Sequence, residues 1–314
     1  MYKELLDLII KYEHITIFRH LRPDGDAVFS SNALKEWIVS NFPSKTVKLA
    51  GNEIYDKFPV KEEVSDEFIQ SSLAIICDVS QAARTDDNRY TIAKDCAIID
   101  HHPIIIEPGY AGLIIDEPIK AATCELLADI LYSESFKEYK INETVCKYLY
   151  CGLLTDSNSF STANTTANTL FNGYRLVRDG NLKSSDLNEY VFNYNYKSYD
   201  KITKFRNYLQ LEEGIGYVIL SQEDLDNIGM SFDEAKNRVN EFSPIEEIRI
   251  WAVFAYNMKT GLYDGSIRSR RKYVINKLCN SYNGGGHDNA CGVKNLDLNR
   301  IQELVSDLKK IALN

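Results

Sequence analysis

Three residues near the start of the chain have the types and the spacing of metal ligands. His20, Asp24 and Asp26 lie in one short stretch. Pro23 and Gly25 predict a tight loop there. One imidazole and two carboxylates supply nitrogen and oxygen ligands, and oxygen ligands suit a hard divalent cation. The plainer interpretation is a solvated acidic turn in which Asp26 caps the helix predicted to follow.

A second polar group follows a short apolar run later in the chain. Residues 96–99 predict a buried strand, and Asp100, His101 and His102 come directly after it. An acid beside two adjacent imidazoles forms either a metal-ligand set or an acid/base set. The plainer interpretation is a surface loop after a strand, because short motifs also match by chance.

Strands and helices alternate over the first 160 residues. Predicted strands cover 14–18, 46–50, 73–78, 96–99 and 113–116, and predicted helices cover 2–13, 27–40, 121–132 and 142–154. This alternation predicts an α/β domain with a doubly wound, mainly parallel sheet. Three strands then end at His20, Asp78 and Asp100, at the edge where open parallel sheets bind ligands. Asp156 also follows an apolar run.

The C-terminal part of the chain combines a basic strand with a glycine-rich loop. Strands are predicted over 217–221, 249–256 and 262–270, followed by a helix over 274–282. The residues of interest are Arg268, Ser269, Gly284, Gly285, Gly286 and His287. Consecutive glycines expose backbone N–H groups that can approach a phosphate or a base. A glycine triplet alone more often only ends a helix, but beside the arginines and His287 it favours binding.

Composition narrows the functional class. The 314 residues are 44% hydrophobic and 26% charged, as is typical of a globular protein. No apolar run is long enough to span a bilayer, and the first residues lack the features of a signal peptide, so we expect a cytoplasmic protein without a membrane partner. Seven cysteines without a C-x-x-C pair indicate neither a disulfide framework nor structural zinc. The net charge of −9 argues against non-specific binding of long nucleic acid.

Taken in order, these motifs resemble those of the DHH phosphoesterases. The N-terminal motifs are His20-x-x-Pro23-Asp24-Gly25-Asp26-Ala27, the acid Asp78, Asp100-His101-His102 and Thr155-Asp156. The C-terminal motifs, similar to the DHH-associated domain, are Ser266-x-Arg268-Ser269 and Gly284-Gly285-Gly286-His287-x-x-Ala290-x-Gly292. The resemblance covers almost the whole chain. It is nearest to the bacterial branch of nano-RNases and pAp phosphatases, where pAp is 3′-phosphoadenosine 5′-phosphate.

The resemblance implies a domain organisation and a site for two metal ions. A catalytic metal-binding domain would span 1–180, a helical linker 181–212 and a smaller α/β substrate-binding domain 213–314, with the active site in the cleft between the domains. The ions would be manganese, with magnesium as the alternative. One would be bound by His20, Asp24 and Asp78, and the other by Asp26, Asp78, His101 and Asp156.

The same resemblance implies roles for the remaining residues. His102 would face the scissile phosphate, and Asp100 would orient a histidine. The substrate-binding residues would be Arg268, Ser269, Gly285, Gly286 and His287. The expected reaction is hydrolysis of oligonucleotides of about two to five units, and of pAp, to mononucleotides, while long duplex nucleic acid is not expected as a substrate.

The sequence leaves rival interpretations of the function open. One is an enzyme similar to family II pyrophosphatases, and another is a phosphodiesterase acting on cyclic or linear dinucleotides. A third is a non-catalytic nucleotide sensor, against which the complete ligand set argues. The sequence also leaves the oligomeric state open, with a homodimer as one option.

Overall fold

A computed structural model describes residues 1–52, 55, 62–104 and 112–313. The chain forms two compact units, Met1–Asn193 and Tyr194–Asn314. Each unit has its own sheet and its own hydrophobic core. Among the described helices, none has the length and apolar character needed to cross a membrane.

The N-terminal unit is built on a parallel sheet. Its strands are β1 (His14–Phe18), β2 (Thr46–Leu49), β3 (Leu73–Cys77), β4 (Asp95–Asp100) and β5 (Leu113–Asp116). They lie in the order β2-β1-β3-β4-β5, and every neighbouring pair is parallel. Every residue of β3 is buried, as expected for a parallel strand covered on both faces. The predicted doubly wound α/β architecture of this unit is confirmed.

Helices cover both faces of this sheet. They are α1 (Tyr2–Lys11), α2 (Gly25–Asn41), α3 (Asp66–Ser71), α4 (Thr123–Leu131), α5 (Glu143–Asp156), α6 (Ala167–Asp179) and α7 (Ser184–Phe192). Helices α2 and α5 pack against each other. A Cβ atom added to Gly25 would lie 2.3 Å from Cγ2 of Thr155, so this crossing requires glycine. The glycine of the first motif thus brings the ends of two helices together.

The C-terminal unit contains a six-stranded mixed sheet. Its strands are β6 (Gln210–Glu212), β7 (Ile215–Leu220), β8 (Ile250–Asn257), β9 (Leu262–Ser269), β10 (Gly284–His287) and β11 (Ala290–Leu296). Its helices are α8 (Tyr196–Arg206), α9 (Gln222–Ile228), α10 (Phe232–Asn237), α11 (Asn276–Asn280) and α12 (Leu298–Leu313). The strands lie in the order β10-β11-β9-β8-β7-β6, and only β7 and β8 pair in parallel. This sheet supplies the expected second α/β domain.

The stretch predicted as a linker, 181–212, is divided between the two units. It contains α7 and α8 and ends in β6. Leu187 and Val191 of α7 pack in the core of the N-terminal unit. Ile202 and Phe205 of α8 pack in a core of the C-terminal unit. The division therefore falls between these two helices, after Asn193.

The glycine-rich stretch is a strand, whereas a loop was predicted. β10 lies at the edge of the sheet and pairs antiparallel with β11, with Gly284 opposite Val293. A Cβ atom on Gly284 would lie 2.4 Å from the carbonyl oxygen of Gly292, and one on Gly286 would lie 2.3 Å from that of Ala290. Glycine is required here because β10 lies so close to the neighbouring backbone.

Candidate metal centre

The polar residues singled out in the N-terminal unit converge at the carboxyl edge of its sheet. Since β1, β3 and β4 are parallel neighbours, the residues at their ends share one edge. These residues are His20 after β1, Asp78 after β3, and Asp100, His101 and His102 at the end of β4. Helices complete the group, because Asp24 and Asp26 lie at the start of α2 and Asp156 is the last residue of α5.

The first cluster joins His20, Asp24 and Asp78. Nε2 of His20 lies 3.6 Å from Oδ1 of Asp24 and 3.6 Å from Oδ2 of Asp78. Nδ1 of His20 donates to the carbonyl of Leu21 at 2.9 Å, which leaves Nε2 to face the carboxylates. Asp24 also caps α2, since its Oδ1 accepts from the N–H of Ala27 at 3.1 Å. The helix cap is thus Asp24, and the alternative interpretation of Asp26 as the cap is wrong.

The second cluster joins Asp26, His101 and Asp156. Nε2 of His101 lies 3.3 Å from Oδ2 of Asp156 and 3.7 Å from Oδ1 of Asp78. Nδ1 of His101 donates to the carbonyl of Lys120 at 3.2 Å, so the ring is oriented in the same way as that of His20. The two oxygens of Asp78 therefore face two different imidazoles, one from each cluster.

The N-terminus of α4 holds the carboxylates in place. The N–H groups of Thr123 and Cys124 donate to the two oxygens of Asp26 at 2.6 Å and 3.0 Å. The hydroxyl of Thr123 donates to Oδ1 of Asp78 at 3.1 Å. Sequence reasoning missed these contacts. Backbone donors leave no mark on residue types, and Thr123 follows two alanines in a stretch that resembles no motif.

Asp78 has an unusual backbone conformation. Its φ is +60°, in the left-handed region that residues other than glycine seldom adopt. The N–H of Asp78 donates to the carbonyl of Ile99 at 2.9 Å, which ties the residue to the neighbouring strand. Such conformations cost about 1–3 kcal/mol and cluster at functional sites. Here the conformation places one carboxylate between the two clusters.

The carboxylates are crowded and shielded from water. Burial raises the pKa of Asp26 well above its usual value, and the charges of Asp156 and Asp78 raise it further. Burial also raises the pKa of Asp156, together with the charge of Asp24. Burial opposes a charge on His20, yet the nearby carboxylates of Asp24 and Asp78 raise its pKa to about 9. Without a cation, protons must offset this concentration of negative charge.

His102 and Asp100 form a hydrogen-bonded pair that, together with Asp78 and His101, makes a third group of possible metal ligands. Oδ1 of the fully buried Asp100 accepts from the backbone N–H and from Nδ1 of His102, both at 2.9 Å. This double contact fixes the imidazole and leaves its Nε2 as the free ring nitrogen. The side chain of His102 is 42% exposed, whereas that of His101 is 9% exposed. Of the two histidines, His102 is therefore the one accessible to a substrate.

The donor set fits metal ions. Nε2 of His101 is buried and has no hydrogen-bond partner among the described residues. Ligands about 2.1 Å from an ion lie about 3.0–3.6 Å from one another, which is close to the separations within both clusters. Imidazole nitrogens that are oriented through their other ring nitrogen, together with carboxylates, form a typical set of divalent-metal ligands.

The residues singled out in the C-terminal unit lie on two strands, Arg268 and Ser269 on β9 and the glycines and His287 on the edge strand β10. Nη1 of Arg268 donates to the carbonyl of Ile267 at 2.9 Å, while the hydroxyl of Ser269 donates to the carbonyl of Tyr273 at 2.5 Å. Gly285 and the exposed His287 belong to β10, and a surface pocket of about 470 Å³ is lined by Asn276 and residues 286–290. Ser269 therefore closes a turn, whereas Gly286 and His287 line the surface pocket.

Comparison with known proteins places this arrangement in a family of phosphoesterases. Residues 14–153 match the model of the N-terminal domain of the DHH family, and residues 202–314 match the DHHA1 domain. A probable bifunctional oligoribonuclease and PAP phosphatase of Streptococcus mutans is 30% identical over 99% of this chain and 98% of its own length. The chain belongs to the DHH family, whose members are metal-dependent hydrolases of phosphoester bonds.

Two further proteins are similar over their whole length. The bifunctional oligoribonuclease and PAP phosphatase of Bacillus subtilis is 29% identical over 99% of this chain and 98% of its own. The crystal structure of an exopolyphosphatase-related protein from Bacteroides fragilis superposes with a TM-score of 0.85 at 19% identity, covering 100% of this chain and 97% of that one. At this identity the structural likeness establishes the fold alone.

Proposed function

We propose that this chain hydrolyses short oligonucleotides, of about two to five units, and pAp to mononucleotides. The observation that carries the proposal is the pair of clusters in which Asp78 of the first lies 3.7 Å from His101 of the second, in a chain similar over almost its full length to proteins named for these two activities. The two activities have one requirement in common, a terminal phosphoester held close to a metal centre.

The clusters suggest how two ions would be held. His20, Asp24 and Asp78 would bind one ion, and Asp26, Asp78, His101 and Asp156 would bind the other. Two neighbouring divalent ions lower the pKa of a shared water and stabilise the charge that develops on a phosphoryl group. The mixture of imidazole and carboxylate ligands suits manganese, with magnesium as a weaker substitute.

His102 is the residue proposed to contact the phosphate. Asp100 accepts from its Nδ1, so the exposed Nε2 can bind a phosphate oxygen or protonate the leaving oxygen. Burial opposes a charge on His102, but the hydrogen bond with Asp100 raises its pKa, which favours the protonated form needed for both roles. Asp100 therefore acts through His102.

The C-terminal unit is proposed to bind the nucleotide. Arg268 provides a cation, and Gly285, Gly286 and His287 present an open strand edge with backbone donors. Ser269 would act indirectly, because its hydroxyl is engaged with the turn at Tyr273. The net charge of −9 disfavours long polyanions and so supports a preference for short substrates.

An assay of chelator-treated protein tests this function. Phosphate or mononucleotide release is measured from pAp, a ribodinucleotide, a single strand of about 20 nucleotides and pyrophosphate, with manganese or magnesium added. We expect rapid turnover of pAp and the dinucleotide with manganese, less with magnesium, and little from the long strand. Faster hydrolysis of pyrophosphate would indicate the pyrophosphatase-like alternative, and full activity after exhaustive chelation would exclude a metal mechanism.

Replacement of Arg268 tests the binding role of the C-terminal unit. Arg268→Ala should raise KM for nucleotide substrates by at least about 10-fold, because an ionic hydrogen bond to phosphate contributes about 1.5–3 kcal/mol. Hydrolysis of a small generic phosphodiester should change little, since that substrate has no nucleotide to bind. Equal losses for both substrates would contradict this role.

A further inference from the structure

One peptide group lies between His101 and a buried acid. The carbonyl of Lys120 accepts from Nδ1 of His101 at 3.2 Å. The N–H of Ala121, which belongs to the same planar peptide group, donates to Oε2 of Glu125 at 2.9 Å. The peptide group is thus held at both ends, by the imidazole on one side and by a carboxylate on the other.

Glu125 is buried, and its carboxylate is the acceptor in each of the hydrogen bonds described here. Its exposure is 1%, and besides Ala121 it accepts from the hydroxyl of Thr169 at 2.9 Å and from Nδ2 of Asn168 at 2.9 Å. A buried charge is costly unless its partners satisfy it, and here each of these partners is a donor. The carboxylate is therefore fixed, and it fixes the orientation of the peptide group.

The charge of Glu125 also affects the strength of the contact to His101. Hydrogen bonds in series polarise one another, so a carboxylate on the N–H makes the carbonyl of the same peptide a stronger acceptor. A stronger acceptor at Nδ1 makes Nε2 of His101 a better electron donor. Metal-binding histidines commonly donate to either a carboxylate or a backbone carbonyl, whereas here a carboxylate acts through the carbonyl.

We propose that Glu125 is a positioning residue for the metal centre and acts on His101 through the peptide group between Lys120 and Ala121. The inference rests on the proposed function, because it requires His101 to bind an ion. Glu125 lies in no motif of the family resemblance described above. Replacement of Glu125 should therefore change the affinity for metal, since this series of contacts ends at Nε2 of His101, which faces the clusters.

Glu125→Gln and Asp129→Asn form a matched pair of variants. Asp129 lies one turn further along α4 and also accepts from Asn168, but its other partners are the side chains of Lys120, Asn172 and Arg175. Each variant removes one charge from the same network, a buried one at Glu125 and a partly buried one at Asp129. Of the two acids, Glu125 is the one that contacts the peptide group facing His101.

The test measures manganese binding to metal-free protein by electron paramagnetic resonance, together with the melting temperature of the metal-free form. Glu125→Gln should weaken binding of one ion by about 10- to 100-fold, as expected for loss of an outer partner of a ligand. Its kcat should recover at high manganese, with KM for nucleotide unchanged. Asp129→Asn should bind manganese within about 2-fold of the wild type and lose a similar amount of stability.

The outcomes separate the two proposals. If the wild type binds no manganese, the proposed function fails. If the wild type binds two ions and Glu125→Gln binds them equally well, or if both variants weaken binding alike, the role of Glu125 is refuted. Should Glu125→Gln not fold, Thr169→Val removes one donor and keeps the charge. That variant should weaken binding in the same direction but less, and wild-type affinity would overturn the inference.

Discussion

Asp78 combines a strained backbone with a central place among the proposed ligands. Its φ of +60° costs free energy, and its two oxygens lie 3.6 Å and 3.7 Å from imidazole nitrogens of different clusters. Thr123 fixes one of these oxygens. A residue so placed is expected to affect both ions, whereas each other ligand would affect one.

Asp78→Asn tests this difference. The amide keeps the shape of the side chain but loses the negative charge that would hold two cations, so kcat should fall by more than the about 10- to 100-fold typical of outer partners of a ligand. Asp100→Asn should cause a smaller loss, because Asp100 acts through His102. Metal content per chain and kcat measure both effects. Retention of two ions and most activity by Asp78→Asn would contradict the bridging role.

Single residues show where prediction from the sequence succeeds. The proposed ligands carry distinctive side chains at the ends of strands and helices, and the convergence of those at strand ends follows once the sheet is parallel. The residues that orient them contribute through backbone groups, as Lys120 does for His101, or lie in unremarkable stretches, as Thr123 does. Residue types cannot indicate such contacts, because any residue can supply a carbonyl or an N–H group.

Among the secondary-structure elements, β10 allows two adjacent glycines, Gly284 and Gly285, to be compared directly. A Cβ atom on Gly284 would lie 2.4 Å from the carbonyl of Gly292, whereas one on Gly285 would meet only Oδ1 of Asn280, at 3.9 Å. Gly284→Ala should therefore lower the free energy of unfolding by about 1–3 kcal/mol. Gly285→Ala should change it by less than about 1 kcal/mol. Denaturant unfolding measures both.

The same pair separates folding from binding. If Gly285 is a substrate-binding residue, Gly285→Ala should raise KM for nucleotides at unchanged stability. A Gly285→Ala variant with wild-type KM would remove Gly285 from the proposed site. Equal stability of the Gly284→Ala variant and the wild type would instead show that the edge strand can shift away from β11.

Elements with a strong hydrophobic pattern were predicted well, and those that depend on distant partners were not. The strand His14–Phe18 and the strand Leu113–Asp116 have the bounds that the sequence predicts. β10 has no side-chain pattern, since three of its residues are glycine, and it exists as a strand through its pairing with β11. The sequence predicts α2 from residue 27, whereas the helix begins at Gly25, because Asp24 rather than Asp26 is its cap.

At the scale of the molecule, the buried charges make stability depend on pH when metal is absent. Burial raises the pKa values of Asp26, Asp78 and Asp156, and nearby carboxylates raise those of His20 and His101 against the effect of burial. The folded chain thus holds protons that the unfolded chain releases. The stabilisation that these protons contribute is fully present below the pKa values of the unfolded chain. It is lost as the pH rises through the pKa values of the folded chain.

The melting temperature of the metal-free protein should therefore fall as the pH rises from about 6.5 towards the pKa of His20, about 9. Asp24 does not contribute to this trend, because burial raises its pKa but the nearby His20 lowers it overall, so its stabilising effect is lost only at acid pH. Bound manganese replaces the protons, so saturating metal should raise the melting temperature most at high pH. A metal-free melting temperature that rises or stays constant over this range would contradict the expectation.

The two units are not equally easy to predict from the sequence. The alternation of strands and helices defined the N-terminal sheet, and the basic strand and the glycines indicated a second sheet. The point of division is less evident, because the whole stretch 181–212 is polar and rich in tyrosine and asparagine. Only the few apolar residues of α7 and α8, such as Val191 and Phe205, reveal to which core each helix belongs.

The parallel sheet also affects the order in which parts of the N-terminal unit can fold during synthesis. Parallel neighbours cannot be joined by a tight hairpin, so each pair requires contacts between distant positions, and such contacts form slowly. Among the proposed ligands, Asp156 is the last to be synthesised, at the end of α5. A growing chain that already contains His20 and Asp78 still lacks part of the centre until α5 packs on α2. Uptake of the second ion would then mark the completion of this unit, and a ribosome-bound fragment ending before Glu143 should bind metal weakly.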